Sequence, residues 1–127
     1  MPDKIFKYKK ATITVRAKRG SDVFSYPYMI DTLINLLSDK LNAGRKTKIK
    51  RTDINDTMWM QVSWFAYVIL CSSVDGDLGF VWPDWQLSTS EEIYQAYEDL
   101  MNGDPELVEL WITAYREANM EAISPEE

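Results

Sequence analysis

Residues 57–74, TMWMQVSWFAYVILCSSV, form a stretch of eighteen residues that contains no Lys, Arg, Asp or Glu. Its apolar residues recur at the spacing of one helical face: Met58, Val62, Phe65 and Ile69. Other aromatic and aliphatic residues cover the remaining sides, and a helix that is apolar nearly all round is either buried in a core or spans a membrane. Because Gln61 and Ser63 interrupt the stretch and amphipathic segments surround it, we expect a central core helix over residues 54–74.

Three amphipathic segments around this stretch predict further helices. The first covers residues 26–42, with Pro27 in the first turn, a position that suits proline. The second follows residues 88–92, STSEE, where two overlapping capping boxes mark a helix start. The third begins at residues 104–106, DPE, which supply a cap residue, a first-turn proline and an acid suited to the helix dipole. After it we expect a short acidic tail over residues 122–127.

The N-terminal part of the chain predicts extended structure. Residues 4–19 alternate apolar and polar side chains around Ile13 and Val15, which is the pattern of a half-buried strand. Phe6 and Tyr8 alternate with lysines and would belong to a preceding strand. Together, the segments predict an α+β fold that is mainly α-helical, with about four helices packed around the central apolar helix and a small N-terminal β element.

The length of 127 residues predicts a single domain, residues 1–127, that is large enough to bury a core. The charged start MPDKIFKYKK predicts no signal peptide. The one cysteine, Cys71, lies inside the apolar stretch, where we expect a small buried hydrophobe rather than a reactive thiol. These features predict a cytoplasmic protein.

The formal net charge of −6 hides a strong asymmetry along the chain. Residues 1–51 carry thirteen Lys and Arg against four Asp, which gives a net charge of +9. Residues 52–127 carry one Arg against sixteen acids, which gives −15. A basic N-terminal part (1–51) beside an acidic helical part (52–121) indicates either a polyanionic partner for the basic half or two oppositely charged docking faces.

The basic half contains the first set of candidate partner-binding residues. Residues 45–51, RKTKIKR, form either a short strand that pairs with the N-terminal strand or a flexible basic loop. They serve either as a solvated connection or as a contact surface for phosphate or an acidic protein. If the strands pair, the basic side chains form one continuous face. The set comprises Lys9, Lys10, Arg16, Lys18, Arg19, Arg45, Lys46, Lys48, Lys50 and Arg51, with Lys7 beside them.

The second set of candidate residues follows the central helix. Residues 75–79, DGDLG, have the composition of a turn. They do not fit a calcium loop, because Gly79 and Gln86 stand where ligands are required. The aromatic residues beyond them either pack over the core or form an interface anchor, since Trp is enriched at binding hot spots. The set comprises Phe80, Trp82, Trp85 and Trp111.

The chain contains no histidine. This removes the commonest general base, the histidine-activated nucleophiles and the usual zinc ligand. The five glycines form no phosphate-binding loop or dinucleotide fingerprint. We therefore expect no enzymatic activity, no catalytic residues, no cofactor and no metal site.

Three successive segments carry a resemblance to a known family. SSVDGDLGFVWP follows the apolar helix, and STSEEIYQAYEDLMNG and DPELVELWITAYREAN come next. This succession, over about residues 57–121, resembles the small tail assembly chaperones of long-tailed bacteriophages. Those viral proteins are predominantly helical and hold a tail component, such as the tape-measure protein, before assembly. The resemblance implies a protein without catalytic residues that acts in the cytoplasm of a bacterial host.

The leading interpretation is a non-enzymatic protein-interaction and assembly factor. A groove around Trp82, Trp85 and Trp111 would hold an apolar or helical segment of a tail tube or tape-measure component, and the charged halves would steer its approach. Two alternatives stay open. One is a nucleic-acid-binding module that uses the basic half, and the other is a subunit of a salt-sensitive homo-oligomer in which basic and acidic faces meet. No membrane partner is expected.

Overall fold

The computed structural model describes residues 3–123, with side chains described through residue 119. In chain order the elements are β1 (Lys4–Tyr8), β2 (Lys10–Val15), α1 (Asp22–Asn42), α2 (Asp56–Cys71), β3 (Ser72–Asp77), α3 (Ser90–Met101) and α4 (Pro105–Ile123). A single turn of 3-10 helix, Arg51–Asp53, precedes α2. The long helices and the small antiparallel sheet confirm the predicted α+β, mainly helical fold.

The three strands form one antiparallel sheet with β2 in the middle. The register forms rows across the sheet, with Phe6, Ile13 and Val74 in one row and Lys7, Thr12 and Asp75 in the next. Neighbouring rows point to opposite faces of a sheet. Because Ile13 is completely buried and Lys7 is exposed, the first row faces the core and the second faces outward. The sheet therefore has an apolar inner face and a polar outer face.

The central helix is shorter than predicted, and the range 54–74 is wrong at both ends. α2 begins at Asp56 and ends at Cys71. The backbone is already extended at Ser72, so the chain passes from helix to strand without an intervening loop. The uncharged stretch continues beyond the helix because its last three residues, Ser72, Ser73 and Val74, begin β3.

β3 is the element that the sequence pattern did not predict. The composition of residues 75–79 favours a turn, but Asp75–Asp77 pair with Lys10–Thr12 of β2. The hydrogen bonds offered by the edge of β2 override the local preference, as tertiary context often does in strands. The turn lies further on, where the Asp77 carboxylate accepts the Gly79 N–H at 2.7 Å. The sheet thus takes its third strand from the acidic half of the chain.

α1 begins earlier than predicted, at Asp22, so Pro27 lies inside the helix rather than in its first turn. Proline has no N–H, and this position therefore lacks the hydrogen bond to the carbonyl of Val23. The first turn is held instead by the Asp22 carboxylate, which accepts the Arg19 N–H at 2.7 Å and forms an ion pair with Arg16.

α3 begins where the cap residues predicted it. Of the two overlapping capping boxes, the structure forms the one between Thr89 and Glu92. The Glu92 N–H donates to the Thr89 hydroxyl at 3.2 Å, and the Glu92 carboxylate accepts the Thr89 N–H at 2.8 Å. The Ser88 hydroxyl donates instead to the carbonyl of Asp84 at 2.8 Å, which ties the preceding loop to the helix start.

α4 extends further than predicted. It runs to Ile123, so residues 122 and 123 belong to the helix and not to a tail, while residues 124–127 lie outside the described residues. Its start is fastened to the sheet, because the Tyr8 hydroxyl donates to the Asp104 carboxylate at 2.7 Å. This bond joins the end of β1 to the cap residue of α4.

α2 lies in the hydrophobic core, as its composition predicted. α1 packs against α2 and α3, and α4 packs against α3 and β1. The largest fully buried side chains include Phe65, Trp111 and Met29, and burial of each such side chain stabilises the fold by about 1.5–3 kcal/mol. Within the part of the chain that the structure describes, no helix is long and apolar enough to cross a membrane.

Gly76 occupies a position in β3 that has no room for a side chain. Its φ angle is +101°, and a Cβ there would lie 2.1 Å from the carbonyl oxygen of Lys10 in the neighbouring strand. We expect Gly76→Ala to lower the free energy of unfolding by at least about 1–3 kcal/mol, since both the backbone angle and the strand spacing must change. Urea denaturation followed by circular dichroism measures the effect. Gly20→Ala is the control, because a Cβ at Gly20 meets nothing within 4 Å, and an equal loss in both variants would contradict the explanation.

Candidate interaction site

A groove of about 310 Å³ opens beside β3. One wall consists of the last turn of α2 and the first residues of β3, including Ser72 and Val74, and the other consists of Trp82, Pro83 and Trp85 in the loop that follows. The groove therefore brings together two of the four aromatic residues predicted to bind a partner and places them next to a strand of the sheet.

The aromatic wall of the groove rests directly on the core. The Trp82 ring lies 5.6 Å from the ring of Phe65 and 4.5 Å from that of Trp111, measured between centroids. Trp111 is 0 % exposed, and its Nε1 donates to the Ser72 hydroxyl at 2.9 Å. The prediction that Trp111 contacts a partner is therefore wrong, because this residue is an interior support for Trp82.

The remaining aromatic candidates lie in the same loop but differ in position. Trp85 is half-buried and lines the groove, whereas Phe80 is half-buried against the core and does not line it. The loop beyond Trp85 is fixed by Asp84. The Asp84 carboxylate accepts the Gln86 N–H at 3.0 Å, and its carbonyl accepts the Leu87 N–H at 3.0 Å. Trp85 is thus held on an ordered turn rather than on a loose segment.

Within residues 3–123, β3 pairs with β2 on one side only, and its second edge has no strand partner. The Arg16 N–H donates to the Cys71 carbonyl at 3.0 Å, which extends the β2–β3 ladder by one pair. This bond identifies which residue pairs along the ladder are hydrogen-bonded. Hydrogen-bonded pairs alternate along an antiparallel ladder, so Ser73 bonds to β2 while Val74 directs its N–H and C=O groups to the other edge. Among the described residues, no other hydrogen bond reaches the backbone of Val74.

Sequence reasoning missed this strand edge. Residues 73–75, Ser-Val-Asp, alternate polar and apolar side chains, which is the signal of an exposed strand. The signal is only three residues long and runs into Asp75-Gly76, a pair that favours a turn. The strand depends on pairing with β2, a partner about sixty positions away, and local periodicity carries no information about such a contact.

The Nε1 atom of Trp82 is buried and has no hydrogen-bond acceptor among the described residues. An unpaired buried N–H costs roughly 1–3 kcal/mol. Trp64 Nε1 is in the same state, beside a separate apolar groove of about 340 Å³ that Met60 and Ile112 also line. The groove beside β3 differs from that one because a strand edge lines it.

Three carboxylates surround the free edge, those of Asp75, Asp77 and Asp84, and all three residues are exposed. Asp84 lines the groove itself, while Asp75 lies in an outward-facing row of the sheet. Within residues 3–119, none of the three forms an ion pair with Lys or Arg. These exposed carboxylates favour a basic partner at the edge.

Arg16 was predicted as a partner-binding residue, and in the structure its side chain is engaged in contacts within the protein. Its guanidinium donates two hydrogen bonds to the Asp22 carboxylate, at 2.9 and 3.0 Å. It also donates to the carbonyl of Leu70, in the last turn of α2, at 2.9 Å. Asp22 is only 5 % exposed. Arg16 thus joins the end of β2, the start of α1 and the end of α2.

The other basic residues do not form the continuous face that strand pairing would create. Residues 45–51 form no strand, and the sheet contains only β1, β2 and β3 in the described part of the chain. Lys9 and Lys10 lie at the turn between β1 and β2, whereas Lys18 and Arg19 lie beyond the opposite end of β2. A six-residue strand separates these two groups by about 20 Å. The positive charge is therefore divided among separate places.

Contacts within the protein also engage part of the basic segment 45–51. The Lys48 Nζ donates to the Asn42 carbonyl at 2.8 Å. Arg51 forms an ion pair with Asp31 of α1 and lies over the ring of Trp59. The two other lysines of the segment are exposed. The segment is a connection along α1 rather than a strand, which decides between the two alternatives that its sequence left open.

The Arg16–Asp22 ion pair changes the acidity of the groups around it. The hydrogen-bonded guanidinium holds the pKa of Asp22 below its ordinary value, and the carboxylate in turn raises the pKa of Arg16. The Cys71 thiol lies beside the pair, with its Sγ 3.8 Å from Asp22 Oδ2, and burial raises its pKa to about 11. Cys71 is therefore a buried, protonated thiol at neutral pH, which agrees with its predicted structural role.

Comparison of the chain with protein-family models, with curated proteins and with solved structures gives no match. The resemblance of residues 57–121 to phage tail assembly chaperones therefore stays a prediction, as does the expected lack of enzymatic activity. The geometry itself defines a class of site: an open aromatic groove beside an acidic, unpaired strand edge. Such an arrangement is suited to contact with a segment of another protein.

Asp22→Asn should destabilise the protein in a pH-dependent way. Because the folded-state pKa of Asp22 is lowered, its contribution is complete at neutral pH and is lost as the pH falls through the folded pKa. We expect the variant to lose about 2–4 kcal/mol at about pH 7, since the partly buried Arg16 charge loses its partner. The difference from the wild type should shrink below about pH 4, near the ordinary pKa of Asp.

Urea denaturation across this pH range measures the difference. Asp31→Asn is the matched control, because its ion pair with Arg51 is exposed and should contribute less than about 1 kcal/mol. A loss in Asp22→Asn that is small or independent of pH would contradict the role assigned to the buried pair.

Proposed function

We propose that this chain is a non-enzymatic protein-interaction and assembly factor that holds a segment of another protein in the groove beside β3. The observation that carries the proposal is the juxtaposition of half-buried Trp82 and Trp85 with the unpaired strand edge at Val74. Apolar burial drives most protein association, and Trp is enriched at interface hot spots. The negative charge along the edge would orient a partner of opposite charge during its approach.

The proposed client is a component of a bacteriophage tail, such as the tube or the tape-measure protein, and the proposed setting is the cytoplasm of the bacterial host. The support is the resemblance of residues 57–121 to tail assembly chaperones. This range contains α2, β3, the aromatic loop and α3, so it includes every residue that lines the groove. A groove that is open to solvent also suits a partner that is held before assembly and then released.

A nucleic-acid-binding function is the second candidate, and it has less support. Lys9, Lys10 and Arg19 are exposed and available for phosphate. However, the basic groups are separated along β2, Arg16 is engaged in the interior, and the acidic edge repels a polyanion. Phosphate contacts dominate such binding and make it steeply dependent on salt, so the two functions can be distinguished directly.

Substitution of Trp85 tests the proposed function. Peptides selected from a displayed library of random twelve-residue sequences on the full-length protein would be synthesised, labelled and titrated by fluorescence anisotropy. We expect Trp85→Ala to weaken their binding at least about tenfold, because an aromatic hot-spot contact is lost. Trp59→Ala is the control, since Trp59 is a half-buried Trp at the opposite end of α2 from the groove. Failure to select any peptide, or equal binding by both variants, would contradict the proposal.

A titration of labelled duplex and single-stranded DNA tests the alternative. We expect no tight binding at about 50 mM salt, because the exposed basic groups do not form a single phosphate-contacting face. Submicromolar affinity that falls by orders of magnitude at about 200 mM salt would instead move the functional site to the basic half of the chain.

A further inference from the structure

We infer that the groove takes its partner as an added β-strand, an extended segment in which apolar residues alternate with basic ones. The inference rests on the proposed function and specifies the form and chemistry of the bound segment. It goes beyond the presence of an aromatic groove, because it states that backbone groups of β3 contribute to recognition.

The backbone of β3 supports an extended partner. The N–H and C=O groups of Val74 point to the free edge, and Val74 lines the groove. An extended segment can pair with such groups, as in other cases of strand addition to a sheet edge. A helix satisfies its backbone groups internally, so a helical partner would leave those of Val74 unpaired.

The two faces of the sheet select the side chains of the partner. In a strand added beside β3, successive side chains alternate between the faces. Those next to Val74 point to the inner face, where Trp82, Pro83 and Trp85 form an apolar wall. Those next to Asp75 point to the outer face, where the carboxylate is exposed. The partner segment therefore alternates apolar and basic residues.

Charge sets the identity of the polar residues in the segment. Asp75, Asp77 and Asp84 surround the edge, and none is paired with a basic side chain in the described part of the chain. Opposite charges on neighbouring strands stabilise their pairing, and like charges oppose it. Acidic edges also resist pairing with unrelated strands, which restricts the site to Lys- or Arg-bearing segments.

Hydrogen exchange of the full-length protein tests the mode of binding. The probe is a synthetic peptide, DKIFKYKK, which has the sequence of residues 3–10 and places Phe and Tyr in alternation with lysines. We expect saturating peptide to slow exchange of the Val74 amide at least about tenfold in NMR spectra. The Ser73 amide should not change, because it is already bonded to β2.

Two results would overturn the inference. If the peptide binds in a Trp85-dependent manner without slowing exchange at Val74, the partner is not an added strand, although the proposed function stands. If library peptides bind through Trp85 but DKIFKYKK does not bind at about millimolar concentration, the stated chemistry of the segment is wrong. Failure of every peptide would contradict the proposed function itself, so the two failures are distinguishable.

N-methylation of the peptide gives an independent readout of the same geometry. Only alternate N–H groups of an added strand point to β3. Methylation at one set of alternating positions should therefore weaken binding at least about tenfold, and methylation at the other set should change it little. Equal effects at all positions would overturn pairing with β3.

Charge reversal tests the basic character of the segment. We expect Asp75→Lys to weaken binding of DKIFKYKK at least about fivefold and to improve binding of DEIFEYEE, its acidic counterpart. Asp39→Lys is the matched control, because Asp39 is an exposed acid near the far end of α1. If both variants change binding equally, the effect comes from the net charge of the protein. Asp75 would then not select the basic residues of the segment.

Analytical ultracentrifugation of the full-length chain distinguishes a separate partner from a second copy. We expect a monomer at about 100 μM, a concentration at which weak complexes still associate. If the protein forms oligomers and Asp75→Lys dissociates them, β1 of another copy occupies the edge. That result would overturn the inference that the occupant is a separate protein.

Discussion

The structure depends on the ion pair between Arg16 and Asp22. The guanidinium donates to a buried carboxylate and to the Leu70 carbonyl, so one side chain connects the end of β2, the start of α1 and the end of α2. Charged groups with little exposure are tolerated only when their hydrogen-bonding capacity is filled. Here Arg16 and Asp22 bond to each other, and the Leu70 carbonyl and the Arg19 N–H supply further partners. Since β3 begins at the residue after α2, this pair also determines where the groove lies.

The helices were predictable from sequence because their signals are local. The spacing of apolar residues, the Thr89–Glu92 capping box and the Asp104 cap all act within a few residues. The start of α1 was predicted too late, because Asp22 at the helix start also bonds to Arg16, which precedes the helix by six residues. β3 was not predictable, since its pairing with β2 joins residues far apart in the chain.

The candidate site was predictable in part. The aromatic loop drew attention to Trp82 and Trp85, and both line the groove. Trp111 lies on the apolar stripe of α4, and a stripe of this kind indicates burial more strongly than contact with a partner. The basic residues looked continuous in sequence, but a sheet turn, a loop and a connection along α1 hold them in different places. Composition reveals the amount of charge, whereas topology decides its distribution.

The contact of Trp82 with the completely buried Trp111 has a consequence for the energetics of association. Because the wall of the groove is one layer of side chains above the core, its shape is fixed before any partner arrives. Interior packing has little free volume, so the wall cannot adapt without disturbing Phe65 and Ser72. The loss of conformational entropy on binding then falls on the incoming segment. Partners that are already extended when free would associate most tightly, and flexible ones would bind weakly and dissociate readily.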